Sequence, residues 1–240
     1  MRRLFLPCLF PLLLSAVAVA AHAESIAVNL QDECQTRLPS SRIVVMATEA
    51  PVQEMNNESL RELTADSAAQ NGPGAANQYT LGLTRTTLQL QVRYQLTLLS
   101  VPGVSQACAR PALSVSITQP YHRVDIAREF APGSCLYQAI RQHEYRHVRV
   151  NQENLRRAKA VIAREMKDYY GNRVFYGTRD EIIQQLDQAV KRYWIPRVQQ
   201  LHETSQMRQQ QIDSPEEYGR MGTICNGELA RVLRASHQGG

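Results

Sequence analysis

The fold is decided by residues 134–170, SCLYQAIRQHEYRHVRVNQENLRRAKAVIAREMKDYY, which contain neither glycine nor proline. A Pro-Gly pair precedes the stretch, and Ser134 offers the side-chain oxygen that a helix N-cap needs. Gly171 stands directly after it, as glycine commonly does just past the end of a helix. The stretch therefore predicts one long helix.

A second helix is predicted to return along the first and to form a helical hairpin with it. Thr178 and Glu181, three residues apart, make a capping box at its start. Apolar residues then recur at helical spacing up to Trp194, and Pro196 is expected to kink the helix because it removes one backbone hydrogen bond. A last, short helix is predicted to open at residues 213–217, DSPEE, with its serine as the cap and its proline in the first turn.

The preceding part of the chain, residues 24–130, is predicted to form strands and turns. Residues 42–47 are rich in β-branched side chains, and residues 88–98 alternate between apolar and polar over eleven positions. Residues 113–118 repeat this alternation, which favours an antiparallel sheet with one face in the core. The fold class is thus predicted to be α+β, with a helical part at 131–240 that joins the β-rich part in one compact domain.

The first 23 residues are typical of a secretory signal peptide. Arg2 and Arg3 form a cationic start, and residues 4–20 are an apolar run. Ala21-His22-Ala23 then places small residues where a signal peptidase cleaves. A membrane anchor is the alternative, but seventeen residues that include a proline are marginal for a span. We therefore expect a periplasmic or secreted protein without a stable membrane anchor.

The charge of the chain gives no indication of a nucleic-acid partner. The formal net charge is +5, from 27 basic and 22 acidic residues. Residues 1–23 hold two arginines and no acid, so the remainder carries 25 basic and 22 acidic residues. A balance of +3 that is spread along the chain is too mild for a nucleic-acid-binding surface.

Four cysteines remain after the predicted signal peptide. They are Cys34, Cys108, Cys135 and Cys225. An even number of cysteines in an exported chain predicts disulfide bonds, here two, with three possible pairings. None of them lies in a C-x-x-C cluster, so a zinc site built from thiolates is not expected.

A metal-binding motif, His143-Glu144-Tyr145-Arg146-His147, lies inside the long predicted helix. Residues four apart are about 40° apart around a helix and one turn apart along it, so both imidazoles can point at one ion. Neutral imidazoles suit Zn²⁺, which activates a water molecule at neutral pH. Glu144 is then expected to act as the general base toward that water. This is the H-E-x-x-H pattern of zinc peptidases.

The sequence leaves the third metal ligand open. A hairpin that turns near residue 174 would bring residue 145 level with about residue 203, and this favours His202 or Glu203. Asp180, Glu153 and Glu165 are the weaker candidates. Glu153 lacks the glycine that would turn the chain toward the ion, and straight helix geometry places Asp180 and Glu165 some tens of ångströms from His147. Three further side chains are candidate donors to an oxyanion by residue type alone: Tyr193, Tyr218 and Arg146.

The chain resembles an uncharacterised family of secreted bacterial H-E-x-x-H proteins described as zinc-dependent peptidases. The resemblance lies in a short helix with Ser59, Leu60 and Leu63, in a loop with Gly72-Pro73, and in the segment 79–84, YTLGLT, before the long strand. The metal motif is the specific element of the match. The resemblance implies a zincin-like fold, an exported protein and a zinc site.

These observations favour a zinc-dependent metallohydrolase, specifically a peptidase whose substrate is a peptide or protein, including peptides of the cell envelope. Zinc would be held by His143 and His147, and Glu144 would be the catalytic base. The alternative is a cell-envelope protein that binds a metal or another protein without catalysis. A purely structural role for the hairpin is a third interpretation.

Overall fold

The computed structural model describes residues 30–71, 79–100 and 105–238. The predicted signal peptide and the Gly72-Pro73 loop lie outside these residues. The described part is an α+β structure, as predicted. In chain order its elements are α1 (30–37), β1 (Ile43–Glu49), β2 (Val52–Met55), α2 (Leu60–Asn71), β3 (Gly82–Thr86), β4 (Gln89–Ser100), β5 (Ala107–Gln119), β6 (His122–Ile126), α3 (Cys135–Tyr170), β7 (Phe175–Gly177), α4 (Arg179–Ala189), a π-helical turn (Val190–Trp194), α5 (Ile195–Ile212) and α6 (Pro215–Gln238).

The larger sheet has the strand order β1-β5-β4, and β7 also pairs with β5. Strands β4 and β5 are antiparallel, as the two alternating segments predict, with Val92 opposite Val115. Strand β1 pairs parallel with β5, so the prediction of a purely antiparallel sheet is wrong. A parallel neighbour needs a long crossover connection, and periodicity within one strand carries no information about such a partner.

The smaller sheet has the order β2-β6-β3. Strand β2 is parallel to β6, and β3 is antiparallel to it, with Thr84 opposite Val124. Strand β3 is therefore an edge strand. Among the described residues, no strand pairs with its other edge, and residues of β3 line the cavity described below.

Helix α3 packs against both sheets, because its buried positions belong to two hydrophobic clusters. Leu136 and Ile140, near its start, pack with the apolar side chains of β6 and α2. Ile162 and Met166, near its end, pack with those of β5 and with Trp194. The H-E-x-x-H turn lies between these two groups of buried positions.

The helix caps predicted at Ser134 and Thr178 are confirmed. Ser134 accepts a hydrogen bond from the backbone N–H of Tyr137, and Thr178 and Glu181 form the reciprocal capping box. Pro196 lies in the first turn of α5, directly after the π-helical turn, where the backbone has already departed from regular α-helix. Helix α6 is longer than the short helix predicted, and non-helical residues at Ile224–Gly227 interrupt it.

The helical hairpin forms with a different register from the one predicted. Helix α5 packs along α3 with Arg197 paired to Glu165 at 2.6 Å and Gln209 bonded to Asn151 at 2.7 Å. The prediction that residue 145 lies level with about residue 203 is therefore wrong. In the sequence, the short strand β7 and helix α4 separate α3 from α5. The chain therefore turns back later than residue 174.

Both predicted disulfides are present. Cys34 pairs with Cys108 and ties α1 to β5. Cys135 pairs with Cys225 and ties the first residue of α3 to α6. Two disulfides indicate an extracellular or otherwise oxidising compartment. Within the described residues, no helix has the length and apolar character that a membrane span requires.

Candidate metal centre

The two histidines of the motif face each other across one helical turn of α3. Nε2 of His143 lies 3.1 Å from Nε2 of His147, and the ring centroids are 4.9 Å apart. Both side chains are largely buried, with 13% and 11% of their surface exposed. The predicted convergence of the two imidazoles is therefore present.

Asp213 supplies the third donor atom. Its Oδ1 lies 3.0 Å from Nε2 of His143 and 3.1 Å from Nε2 of His147. A zinc ion with ligands at about 2.0–2.1 Å and tetrahedral angles requires its ligand atoms to be about 3.3–3.4 Å apart. The observed triangle is within a few tenths of an ångström of this edge length. The residues present therefore fit zinc, which they would hold through three protein donors.

Asp213 was not among the candidate third ligands that the sequence predicts. It appeared there as part of the DSPEE segment that opens the last helix. Its position between the end of α5 and the start of α6 brings it level with the histidines once the true register of the hairpin is known. Among the described residues, His143, His147 and Asp213 form the group that could hold a metal ion. The local sequence signal was an acidic residue at a helix boundary, which alone is too common to identify a ligand.

The other candidate ligands lie elsewhere. Glu153 forms an ion pair with Arg208, and Glu165 forms one with Arg197. The three remaining candidates, Asp180 in the first turn of α4 and His202 and Glu203 on α5, are not part of the metal-binding group. His202 lines the cavity in front of the metal-binding group, whereas Glu203 is exposed.

The orientation of His147 is fixed by a chain of hydrogen bonds between α3 and α5. The side-chain amide of Gln209 donates from its nitrogen to Oδ1 of Asn151 at 2.7 Å, so its oxygen faces His147. Nδ1 of His147 lies 2.6 Å from that oxygen and must donate to it. In the neutral ring the proton is then on Nδ1, and the lone pair of Nε2 points at the shared centre. This is how proteins prepare a histidine for a metal.

His143 has ionic neighbours on the side away from the centre. Its Nδ1 lies 3.1 Å from Oε1 of Glu217, and the same carboxylate accepts hydrogen bonds from Arg146 and Arg220. These hydrogen bonds from guanidinium groups hold the pKa of Glu217 well below its usual range. A guanidinium nitrogen of Arg146 lies 2.7 Å from the same Nδ1, so a cation and a carboxylate both face this side of the ring.

The pKa values of Asp213 and His147 are shifted in opposite directions. Burial raises the pKa of Asp213, but the hydrogen bonds and charges of His143 and His147 outweigh it and lower that pKa well below its usual range. Burial lowers the pKa of His147, yet the hydrogen bond to Asp213 and the charge of Glu144 raise it overall. The group therefore favours a positive charge between its donor atoms, as a proton or as a metal ion.

Glu144 lies beside the centre with 4% of its surface exposed. Its Oε2 accepts a 2.8 Å hydrogen bond from the hydroxyl of Thr84 on β3, and burial raises its pKa. Strand β3 can approach this closely because residue 82 is glycine. A Cβ atom there would stand 2.7 Å from Oε1 of Glu144 and 2.8 Å from Cγ2 of Ile140.

A cavity of about 720 Å³ opens in front of these residues. Its walls include the three metal-binding side chains, Glu144, residues 81–86 around the free edge of β3, and Tyr218 on α6. Burial, followed by the charges of Asp213 and Glu144, raises the pKa of the Tyr218 phenol, which keeps it a hydrogen-bond donor. Tyr193 is exposed in the π-helical turn and does not line this cavity, and Arg146 is bonded to Glu217.

The resemblance to exported H-E-x-x-H proteins rests on the sequence segments given above. Comparison with protein-family models, with curated proteins and with solved structures finds no match for this chain.

Proposed function

We propose that this protein is a zinc-dependent metallohydrolase, and specifically a peptidase, of the periplasm or the extracellular space. The observation that carries the proposal is the triangle of Nε2 of His143, Nε2 of His147 and Oδ1 of Asp213, with edges of 3.0–3.1 Å. Two imidazoles and one carboxylate are a donor set that zinc accepts. The predicted signal peptide and the oxidising compartment that the disulfides indicate support the location.

Glu144 is the residue that would move protons. When bound to this donor set, zinc acidifies a water molecule and polarises a carbonyl group. Glu144 follows His143 directly, and its carboxylate lines the same cavity. Thr84 fixes one of its oxygens, and burial raises its affinity for a proton. The carboxylate can therefore take a proton from the attacking water and return it to the leaving amine.

Tyr218 and β3 would position the substrate. The Tyr218 hydroxyl is a protonated donor on the cavity wall, suited to stabilise the oxyanion that forms as a carbonyl is attacked. Among the residues that the structure describes, no strand pairs with the outer edge of β3. An extended peptide can hydrogen-bond along such an edge, and this favours a peptide or protein substrate over a small ester.

Metal analysis and two variants test the proposal. The purified protein should carry about one zinc ion per chain, and His143→Ala should lose it. Glu144→Gln should keep the zinc and lose hydrolysis of peptide and protein substrates, because the variant removes only the proton acceptor.

Three results would contradict the proposal or part of it. Iron in place of zinc would contradict it, since two histidines and one carboxylate also bind Fe(II) in oxygenases. Full activity of Glu144→Gln would remove the general base from the mechanism. Zinc binding without hydrolysis of any peptide tried would favour the alternative of a non-catalytic metal-binding protein of the cell envelope.

A further inference from the structure

A second cavity, of about 500 Å³, shares His143 with the metal centre. Its walls carry four arginines together with Gln142 and Tyr145. The four are Arg141, Arg146 and Arg149 on α3, and Arg220 on α6. No aspartate or glutamate is among the described residues that line it. This cavity meets neither Glu144 nor Asp213, so it is separate from the presumed site of hydrolysis.

Two of the arginines share a single carboxylate. Arg146 and Arg220 both donate to Oε1 of Glu217, and Arg220 also donates to Oε2 at 2.9 Å. The guanidinium group of Arg141 donates two hydrogen bonds to Glu54, of 2.6 and 2.8 Å. Neither of these carboxylates, Glu217 or Glu54, is among the residues that line the cavity.

The charge of Arg149 acts on Glu153, four residues later, but that carboxylate already forms an ion pair with Arg208. Among the residues that the structure describes, Arg149 makes no hydrogen bond or ion pair. It lies three residues after Arg146 on the same helix, and like charges at that spacing repel each other. Four guanidinium groups line the cavity, two carboxylates pair with three of them, and Glu153 is shared between Arg149 and Arg208, so an excess of positive charge faces the cavity. A bound anion would relieve this repulsion.

We propose that this cavity is a binding site for an oxyanion, a phosphate or carboxylate group, held by Arg146, Arg149 and Arg220. The planar guanidinium fork binds both kinds of group through two parallel hydrogen bonds, and clusters of arginine are the usual protein receptor for them. The site lies on the Nδ1 side of His143, whereas Nε2 of that ring faces Asp213. The proposal therefore does not depend on whether the chain hydrolyses peptides.

Titration of the full chain with inorganic phosphate tests the proposal, in a buffer free of other oxyanions and with calorimetric detection. Saturable binding of one phosphate per chain is expected. Arg149→Gln should weaken it by about ten-fold, because a hydrogen bond to a charged group is lost. Arg149 is exposed and unpaired, so the substitution should leave the fold intact. Titration with acetate in parallel shows whether the site prefers phosphate or carboxylate.

Two matched variants separate the site from other ways of binding phosphate. Arg157→Gln removes an exposed arginine of the same helix that lies outside the cavity, and it should leave the affinity unchanged. Asp213→Asn removes a metal donor and should also leave it unchanged. The proposal is overturned if phosphate does not bind saturably, or if Arg157→Gln weakens binding as much as Arg149→Gln. If only Asp213→Asn loses phosphate binding, the phosphate binds at the metal centre and not in the arginine-lined cavity. This result would also overturn the proposal.

Discussion

Nδ1 of His147 donates a 2.6 Å hydrogen bond to Oε1 of Gln209, a residue 62 positions later in the chain. This contact joins α3, the helix that carries the H-E-x-x-H motif, to the returning helix α5. It also determines which nitrogen of His147 carries the proton. Gln209 is therefore a positioning residue, since it reaches the presumed ion through His147.

Gln209→Leu is expected to weaken zinc binding by about 10- to 100-fold, the usual cost of losing a partner of a metal-bound histidine. Gln209→Glu should retain the affinity, because a carboxylate accepts the same hydrogen bond. The affinity can be measured by competition with a chromogenic chelator. Gln211→Leu, at an exposed position of the same helix, is the control. Equal affinities for Gln209→Leu and the native chain would show that the hydrogen bond does not position His147.

Asp213→Asn is expected to reduce the bound zinc from about one ion per chain to a small fraction, since two protein donors are too few for a stable site. The far-ultraviolet circular dichroism should stay unchanged, because asparagine has nearly the same size and the side chain is 40% exposed. Glu203→Gln changes one of the two candidates that the sequence favoured and should leave the zinc content intact. The reverse pattern, with zinc lost from Glu203→Gln and kept in Asp213→Asn, would refute the assignment of Asp213.

Gly82→Ala tests the close approach of β3 to the carboxylate of Glu144. The new methyl group would meet Glu144 and Ile140 at 2.7–2.8 Å, so the strand or the side chain must move. We expect a loss of about 1–3 kcal/mol in the free energy of unfolding, as for other overpacked cores, together with a fall in kcat. Gly222→Ala is the control, because an added Cβ at that position has no atom within 4 Å. Unchanged stability and activity in Gly82→Ala would show that β3 is not held against α3.

The two disulfides are expected to differ in their effect on the site. Replacing Cys135 and Cys225 by serine frees α6, which carries Glu217 and Tyr218, from the start of α3. Zinc affinity should fall, and the free energy of unfolding should drop by about 2–5 kcal/mol. Replacing Cys34 and Cys108 should lower stability similarly but leave zinc affinity unchanged, since that bond ties α1 to β5. Equal zinc affinity in both double variants would argue against a role of α6 in shaping the centre.

What the sequence predicted well depends on neighbouring residues. The cap at Ser134, the capping box at Thr178 and the facing pair His143 and His147 all follow from spacings of three or four residues. What it missed depends on distant parts of the chain. The pairing of β1 with β5 and the alignment of Asp213 with the histidines each join segments more than sixty residues apart. For Asp213, the strand β7 changes the register of α5 against α3. No local sequence pattern reveals how far α5 is displaced along α3.

The ion pair between Glu165 and Arg197 gives a test of the hairpin register that does not involve the metal. Hydrogen bonds from Arg197 lower the pKa of Glu165 below its ordinary value of 4.5, despite partial burial. A lowered pKa in the folded state contributes stability at higher pH and loses it as the pH falls through that folded-state value. Glu165→Gln should therefore lower the free energy of unfolding by about 1 kcal/mol at pH 7, and the difference from the native chain should shrink below about pH 4.5. Urea denaturation from pH 3 to 8 measures this, with the exposed Glu203→Gln as control. A difference that persists unchanged down to pH 3 would mean that the two helices do not meet through this pair.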